Sequence, residues 1–473
     1  MKKTKIVATI GPASESEKNL EKMIKAGMNV ARLNFSHGEY NWHRMAIKRI
    51  KKVSKKMGVN VGILADLQGP RIRTNIEGEV SIKKGEIIYV YEIGAKPKKR
   101  EEAVIFIDKT NIAKGLKKNQ EILIEDGLIK LKVTETKNKY LKTKVIDGGI
   151  VKNHKGINIP GANLDIEVIT KKDKRDLDFV LEYDVDFVAL SFVKNGENIK
   201  KLRKIIKTKI RSEKNLPKII SKIEREEAID NLDEILKETD AVMVARGDLG
   251  IEIEESRVVI LQKEIIAKSI KSLKPVIVAT QMLASMVDNP RPTRAEVSDV
   301  SNAVIDHADA VMLSGESATG KYPVESVEIM TKIIEKTEAS AYDDVHEPLP
   351  FNVESEYALI IKSAYELAKS FDARAICMIS ISGFTAKLVS HFRPDQKIFV
   401  ATNNKRTFNQ FSLLWGVEGY VFEKKHKLET LIDKMVKEVK NERKLKKGDK
   451  VVIIMGRSSE GKKMRLVGIK KVG

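Results

Sequence analysis

Residues 218–250 read KIISKIEREEAIDNLDEILKETDAVMVARGDLG: a short apolar run, an acid-rich amphipathic stretch, then a second apolar run. The outer runs, IISKIE ending at Glu224 and VMVARGDLG ending at Gly250, have the aliphatic character of strands buried on both faces, yet each delivers charge at its end. Along an extended strand, residues two apart share a face, so Lys222 and Glu224 project together. Asp248 follows the second run at a glycine-flanked turn. A cation, two carboxylates and exposed backbone N–H groups meeting there are equipment for holding a divalent metal and an oxyanion.

The same alternation extends in both directions. KIVATI (5–10) precedes a helical pattern on Leu20, Met23 and Ile24 that stops at Gly27, and NVARLNF (29–35) precedes one carrying Trp42, Met45 and Ile50 that ends before Gly58. VGILADL (61–67), DFVALSF (186–192), KIISKIE, AVMVARGDL, PVIVATQM (275–282) and AVMLSG (310–315) complete eight candidate parallel strands. Eight such repeats favour an α/β fold closed as a (β/α)8 TIM barrel over an open sheet. Between strands three and four the rhythm breaks into EVSIKKGEIIYVYEI, AVIFID, EILIEDGLIKLKVTE and KYLKTKVIDGG, β-rich and punctuated by Gly and Asp-Gly turns. An all-β lid inserted after strand 3 is the expectation, emerging over the C-terminal mouth where barrel active sites lie. After YDDVHEPLP (342–350), a candidate linker, AICMIS, KIFVAT, GYVF and VVIIMG alternate with helices as a C-terminal α/β domain. The expected division is residues 1–69 with 166–342 for the barrel, 70–165 for the lid and 352–473 for the last domain.

A chain of 473 residues suits several domains. Neither a signal segment nor a long uncharged apolar span is evident, so the expectation is a cytoplasmic protein without membrane contact. A single cysteine, Cys377, excludes a disulfide framework and sits in an apolar run, where a buried structural thiol is expected. The net charge of +21 raises the question of nucleic acid. The lysines, however, are scattered among acids over nearly every helix face, and aromatic residues are only 5%, so no nucleic-acid partner is expected.

On a barrel, the polar residues at the strand ends form one rim. Strand two supplies Arg32, Asn34, Ser36 and His37, and strand three supplies Asp66 followed by Arg71 and Arg73. Strand five supplies Lys222 and Glu224, strand six Arg246 and Asp248, strand seven Thr280 and Gln281, strand eight Ser314 and Glu316. Arginine and lysine suit phosphate and carboxylate recognition. Two carboxylates with open positions suit Mg²⁺ or Mn²⁺ shared with a phosphorylated substrate. The residues therefore point to phosphoryl transfer or metal-assisted enolate chemistry.

TKIVATIGPAS (from Thr4), GMNVARLNFSHG (from Gly27), DLQGPRIRT (from Asp66), SKIE (from Ser221), DAVMVARGDLGIE (from Asp240), PVIVATQMLASM (from Pro275), NPRPTRAEVSDVSNAV (from Asn289) and DAVMLSGESATGKYPVE (from Asp309) together resemble the pyruvate kinase family. The resemblance covers the barrel fully, the insertion in outline and the last domain loosely. It implies transfer of the phosphoryl group of phosphoenolpyruvate to ADP, giving pyruvate and ATP, and it implies a homotetramer. It also implies roles. Glu224 and Asp248 match the ligands of the divalent cation. Lys222 matches the lysine at the transferring phosphoryl group and the enolate oxygen. The Gly247 and Asp248 N–H groups match those holding the substrate carboxylate. Arg32 matches an arginine on the substrate phosphate and Arg73 one on nucleotide phosphates. Asn34 and His37 lie in the nucleotide-proximal NFSH turn, with a structural hydrogen-bonding role the alternative for His37. Thr280 matches the threonine on the proton-delivery route, read here as one element of a water relay that Ser314 and Glu316 support.

Potassium-activated members read DTKGPEIR and hold the ion on residues matching Asn34, Ser36, Asp66 and the threonine; here Leu67 replaces the threonine and Arg71 the glutamate. A hydroxyl ligand is lost and a fixed cation stands where an acid was, so Arg71 is expected to supply the field of K⁺, and K⁺ not to be required. Ser380, Ser382, Gly383 and Thr385, in SISGFTAK, resemble the family's effector turn, with helix capping the alternative. The segment GRSSEGKKMRLVGIKK lacks the family's usual effector loop, so no sugar-bisphosphate regulation is carried over. Two other functions remain open on the residues: a metal-dependent aldolase or lyase acting on a keto acid, and a silent effector-binding relative.

Overall fold

In the computed structural model, eight parallel strands close on themselves: β1 (Lys5–Thr9), β2 (Val30–Asn34), β3 (Gly62–Asp66), β4 (Phe187–Leu190), β5 (Lys218–Ile223), β6 (Ala241–Ala245), β7 (Val276–Ala279) and β8 (Ala310–Leu313). Closure is the pairing of β1 with β8, from Lys5 opposite Ala310 to Ala8 opposite Leu313. The structure describes residues 2–97, 104–162, 164, 166–210, 212, 215–343, 356–422, 428–459 and 462–473. Most of the candidate linker, 344–350, lies outside them.

Why the strands are apolar throughout is visible in their two cores. Ile6, Ala8, Ile219 and Ile223 face outward and pack with the surrounding helices. Val7, Val30, Leu64, Phe187, Ile220, Met243, Ile277 and Met312 face inward and fill the barrel. A strand buried on both faces has no polar alternation to show. Helix ends follow local chemistry: Ser16 and Thr170 cap their helices through side-chain oxygens, and Gly27 ends the first helix at φ 122°. One helical face differs from expectation. In the helix Tyr40–Met57 the buried stripe is His43, Ala46, Ile47, Ile50 and Val53, whereas Trp42 is half-buried and Met45 exposed. The stripe starts one position later because the His43 ring stacks on Phe35, centroids 4.0 Å apart, and draws that side inward.

The insertion between β3 and β4 is all β, with a seven-stranded sheet and a two-stranded one around its own Ile- and Val-rich core. Its two crossings are tied together by buried Asp173, which accepts from Gly69 N–H at 3.1 Å and from Thr170 N–H at 2.8 Å. Gly69 stands at φ 69°, and a Cβ there would fall 2.9 Å from the Phe192 ring, so the exit from β3 requires glycine. The C-terminal region is an α/β sheet ordered Val417–Val421, Lys397–Thr402, Ala375–Ile379, Lys450–Ser459 and Lys462–Lys471. Four strands correspond to the expected runs. The fifth, unexpected, strand folds back antiparallel, from Lys450 opposite Lys471 to Ser459 opposite Lys462.

This last region closes the N-terminal mouth of the barrel. Leu413 joins the inner barrel core, Lys5 Nζ donates to Val417 O at 2.8 Å, and Arg393 pairs with Asp309 at 3.0 Å. Asp186, just before β4, accepts from Ile63 N–H at 2.9 Å and from the Asn409 amide at 3.0 Å. Burial pushes its carboxyl up to about 7 against those bonds. An unfolded Asp titrates near 4. Between about pH 4 and about pH 7 the folded chain therefore retains a proton that the unfolded chain has released, and stability falls as pH rises through that window. Asp186→Asn, with Asn409 turned to accept, removes the penalty. It should raise the melting temperature at pH 8, by the equivalent of about 1–3 kcal/mol, and change it little at pH 4.5. A gain of the same size at both pH values would contradict this assignment.

Candidate active site

The inward face of each strand continues upward from the apolar layer into a polar one. Above Val7, Val30, Leu64, Ala189 and Ile220 come Thr9, Arg32, Asp66, Ser191 and Lys222, each two residues further along. Because they occupy one layer of a closed barrel, they meet. Arg32 grips Asp66 Oδ2 with Nε and Nη2, both at 2.7 Å, and donates to Thr9 Oγ1 at 2.9 Å. Lys222 Nζ donates to Ser191 Oγ at 2.8 Å and lies 3.4 Å from Asp66 Oδ1. Glu224 stands two residues above Lys222. Its Oε2 accepts from Phe192 N–H at 2.7 Å, and its Oε1 lies 2.7 Å from Lys222 Nζ as an ion pair without a directed hydrogen bond.

The opposite half of the rim departs from the expected turn. Arg246, Gly247 and Asp248 form the first turn of a helix, Arg246–Glu252, so the Asp248 carboxylate sits at a helix N-terminus. Gly247 N–H donates to Thr280 Oγ1 at 2.8 Å, and that hydroxyl donates to Ala279 O at 2.6 Å. Thr280 is held at φ 72°, a conformation β-branched residues avoid. The clamp is Arg246, which donates to Thr280 O at 2.7 Å and is itself fixed by Asp299 at 2.7 Å. Glu316 takes Leu283 N–H on one oxygen and Ser314 N–H on the other, and so braces the backbone beyond β7 and β8.

Electrostatics tie the halves together. Burial alone would raise Asp66, but Lys222 and Arg32 outweigh it and hold the carboxyl below its ordinary range. Burial pulls Lys222 down, yet Asp66 and Glu224 more than offset it and hold the ammonium above its ordinary value. Burial pushes Glu224 up, Lys222 opposes, and the Asp248 charge adds to the rise. A buried carboxylate whose proton affinity a neighbouring carboxylate raises is what a divalent cation relieves. The buried Glu224 Oε1, which among the described residues meets only the Lys222 ammonium at 2.7 Å, has acceptor capacity for such a ligand. Among the described residues no three His, Cys, Asp or Glu gather as a complete metal cage.

Above the rim, a cleft of about 1080 Å³ separates lid from barrel, with Arg71, Asp126 and Lys130 on one side and Gly247, Asp248 and Gln281 on the other. Arg71 spans it, 3.2 Å from Asp248 and 3.6 Å from Asp126. Arg73 donates to His154 O at 3.0 Å. The exposed His37 ring is held below its ordinary value by partial burial and then by Arg73, Arg71 and Arg32, which places these cations around the NFSH turn. In that turn Asn34 Oδ1 accepts from Ser36 N–H at 3.1 Å, and the His37 carbonyl accepts from His43 Nε2 at 2.9 Å in the tautomer that donates.

The family models for "Pyruvate kinase, barrel domain" and "Pyruvate kinase, alpha/beta domain" match residues 1–327 and 358–465. The chain belongs to the pyruvate kinase family. It is 42% identical over 464 residues to a pyruvate kinase of Staphylococcus saprophyticus, covering 96% of this chain and 78% of that one. To one of Bacillus licheniformis it is 39% identical over 486 residues, covering 100% and 81%. A crystal structure of a pyruvate kinase from Cryptosporidium parvum superposes with a TM-score of 0.93 at 34% identity, over 100% of this chain and 96% of that one. The chain is thus a phosphotransferase that moves the phosphoryl group of phosphoenolpyruvate to ADP, and the family's chemistry depends on a divalent metal. The aldolase or lyase alternative falls with this membership.

The pyruvate kinase rim contains residues that strand-end reading passed over. Ser191, Thr9 and Asp299 lack charge or lie on another element, though Ser191 directly follows β4 as Lys222 nearly ends β5. The turn at Ser380–Thr385 is not part of the rim: it lies in the C-terminal region. There Gly383 caps a helix at φ 85°, Ser382 Oγ accepts from Phe384 N–H at 3.4 Å, and buried Ser380 Oγ has no hydrogen-bond partner among the described residues. Cys377 is buried. Among the described residues no helix is long and apolar enough to cross a membrane.

Proposed function

We propose that the rim divides the pyruvate kinase reaction as follows. Arg32 and Lys222 receive the phosphate of phosphoenolpyruvate, while the Gly247 and Asp248 N–H groups receive its carboxylate, Thr280 Oγ1 giving up its bond to Gly247. Lys222, only 12% exposed, holds its positive charge where negative charge develops on the enolate oxygen, in a dry setting where that charge acts strongly. The single observation that carries this reading is the Asp66–Lys222–Glu224 chain at 3.4 and 2.7 Å, which fixes an ammonium between two buried carboxylates. Glu224 and Asp248 hold the divalent cation, Mg²⁺ or Mn²⁺, which supplies charge neutralisation to the transferring group. Thr280, clamped by Arg246, passes a proton along a water chain to the methylene carbon rather than acting as the ultimate acid. Arg73, Asn34 and His37 face the nucleotide from the lid and the NFSH turn.

Arg71, 3.2 Å from Asp248, supplies a fixed positive charge at the position where potassium-activated relatives have glutamate. Asn34, Ser36 and Asp66 then need no monovalent ion, and Asp66 is already neutralised by Arg32 and Lys222. We further read residues 70–165 as the lid, 1–69 with 166–342 as the catalytic barrel, and 352–473 as a regulatory and oligomerising domain of a cytoplasmic homotetramer. The turn Ser380, Ser382, Gly383, Thr385 is its effector loop. Three apolar cores, each drawn mainly from one region, with Leu273 and Leu413 the exceptions at the barrel's N-terminal end, support that division.

A coupled assay of pyruvate formation from phosphoenolpyruvate and ADP with Mg²⁺ tests the reading. The native chain should turn over, and Lys222→Met should lower kcat by about 10²–10³-fold or more. In Na⁺- and K⁺-free buffer at constant ionic strength the native rate should change by less than about twofold. An unchanged rate in the variant would remove Lys222 from the chemistry, and a many-fold loss without K⁺ would reject the role of Arg71.

A further inference from the structure

At the end of the barrel opposite the rim, a cavity of about 270 Å³ lies between the N-terminal ends of β4–β7 and the Ser382–Lys387 segment of the C-terminal region. Its walls are mainly apolar, with Phe187, Phe411, Leu413 and Pro275 among them. Two lysines and one acid line it, and they are not equivalent. Lys218 is paired with Asp240 at 3.2 Å, and Asp240 also takes Arg203 at 3.1 Å, so that carboxylate is fully engaged. Lys387 has no hydrogen-bond or ion-pair partner among the described residues; its Nζ lies 5.7 Å from the centroid of the Phe384 ring. Burial, then the charges of Lys274 and Lys218, pull its ammonium down to about 8, with Asp240 opposing. Lys274, just behind, spends its own ammonium on Thr239 O at 2.7 Å, within reach of Asp240 and Glu238.

A protein that leaves one cation uncompensated beside an apolar space of this size has built half of a recognition site. The missing half has one negative charge, matching the one unpaired ammonium, and a flat apolar body. A cavity of about 150 Å³ already accommodates a benzene ring, so the larger space here takes a ring with its acid group. We propose that this interdomain cavity binds a small monoanionic carboxylic acid with a ring-sized apolar body, its carboxylate on Lys387 and its body against Phe187, Phe411 and Leu413. The site is distinct from the rim, although it touches the other ends of the same strands: Lys218 shares β5 with Lys222, and Ala241 begins the strand that leads to Asp248.

Isothermal titration of the full chain tests this with three probes: benzoate, its neutral isostere benzamide, and acetate, which has the charge without the body. Benzoate should bind saturably, and both other probes should bind about tenfold or more weakly. Lys387→Met should weaken benzoate to the same extent, whereas Lys222→Met, which alters the rim, and Thr385→Val, which alters a turn residue that does not line the cavity, should leave it unchanged. Loss of benzoate binding in Lys222→Met would place the ligand in the active site, and loss in Thr385→Val would place it on the turn; either overturns the proposal. So would the absence of saturation up to about 10 mM, or equal affinity for benzamide. Thermal unfolding supplies an independent check: removing an uncompensated ammonium should leave the melting temperature of Lys387→Met equal to or above that of the native chain. A marked drop would show that the protein already pairs that charge, and would overturn the site.

Discussion

Asp66 is the charge around which the rest of the rim is assembled. It is 1% exposed, and such a carboxylate persists ionised only because Arg32 reaches it from the adjacent β2 and Lys222 from β5, one strand beyond its other neighbour. That requirement fixes Lys222, and Lys222 in turn fixes Glu224. The barrel makes the arrangement possible because its inward face is read in layers. One layer of aliphatic side chains excludes water from below, and the next carries charge whose interactions are strengthened by that exclusion. Apolar content in the strands and polar content at their ends are therefore parts of the same electrostatic device.

The two ends of the barrel treat charge differently. At the C-terminal rim, acids and bases are interleaved so that nearly every group has an opposite neighbour, and what is left over is acceptor capacity on Glu224 and Asp248. At the N-terminal end, the C-terminal region buries isolated ionisable groups, Asp186, Lys5 and Arg393, with backbone or amide partners or a single acid. Those contacts hold the regions together with specific geometry and modest net stabilisation. The insertion is joined to the barrel differently again, through Gly69 and Asp173, so it approaches the rim on two short crossings. Arg71 just beyond the first crossing contacts Asp248 directly.

Most of this was legible in the order of residues, for identifiable reasons. Eight short aliphatic runs spaced by amphipathic stretches admit few arrangements, and residues two apart in a strand must share a face, which paired Lys222 with Glu224 in advance. Neutral partners were less legible. Ser191 and Thr9 are common residues whose importance comes only from closure of the barrel, and Asp299 acts from a helix remote in sequence. The helix at Arg246–Glu252 was read as a turn because two glycines in seven residues argue against helix; tertiary packing overrides that preference. The final strand, Lys462–Lys471, was missed because its lysines obscure any alternation, and its place is set by pairing with Lys450–Ser459.

Glu224, buried with its carboxyl pushed up and only the Lys222 ammonium beside Oε1, is the group that a divalent cation would complete. Direct measurement of Mn²⁺ binding by electron paramagnetic resonance, on the chain without substrates, addresses this most closely. Binding of Mn²⁺ should be weakened about tenfold or more in Glu224→Gln, which keeps the size and the Phe192 N–H acceptor but removes the charge. Equal affinity in the native and Glu224→Gln chains would contradict it.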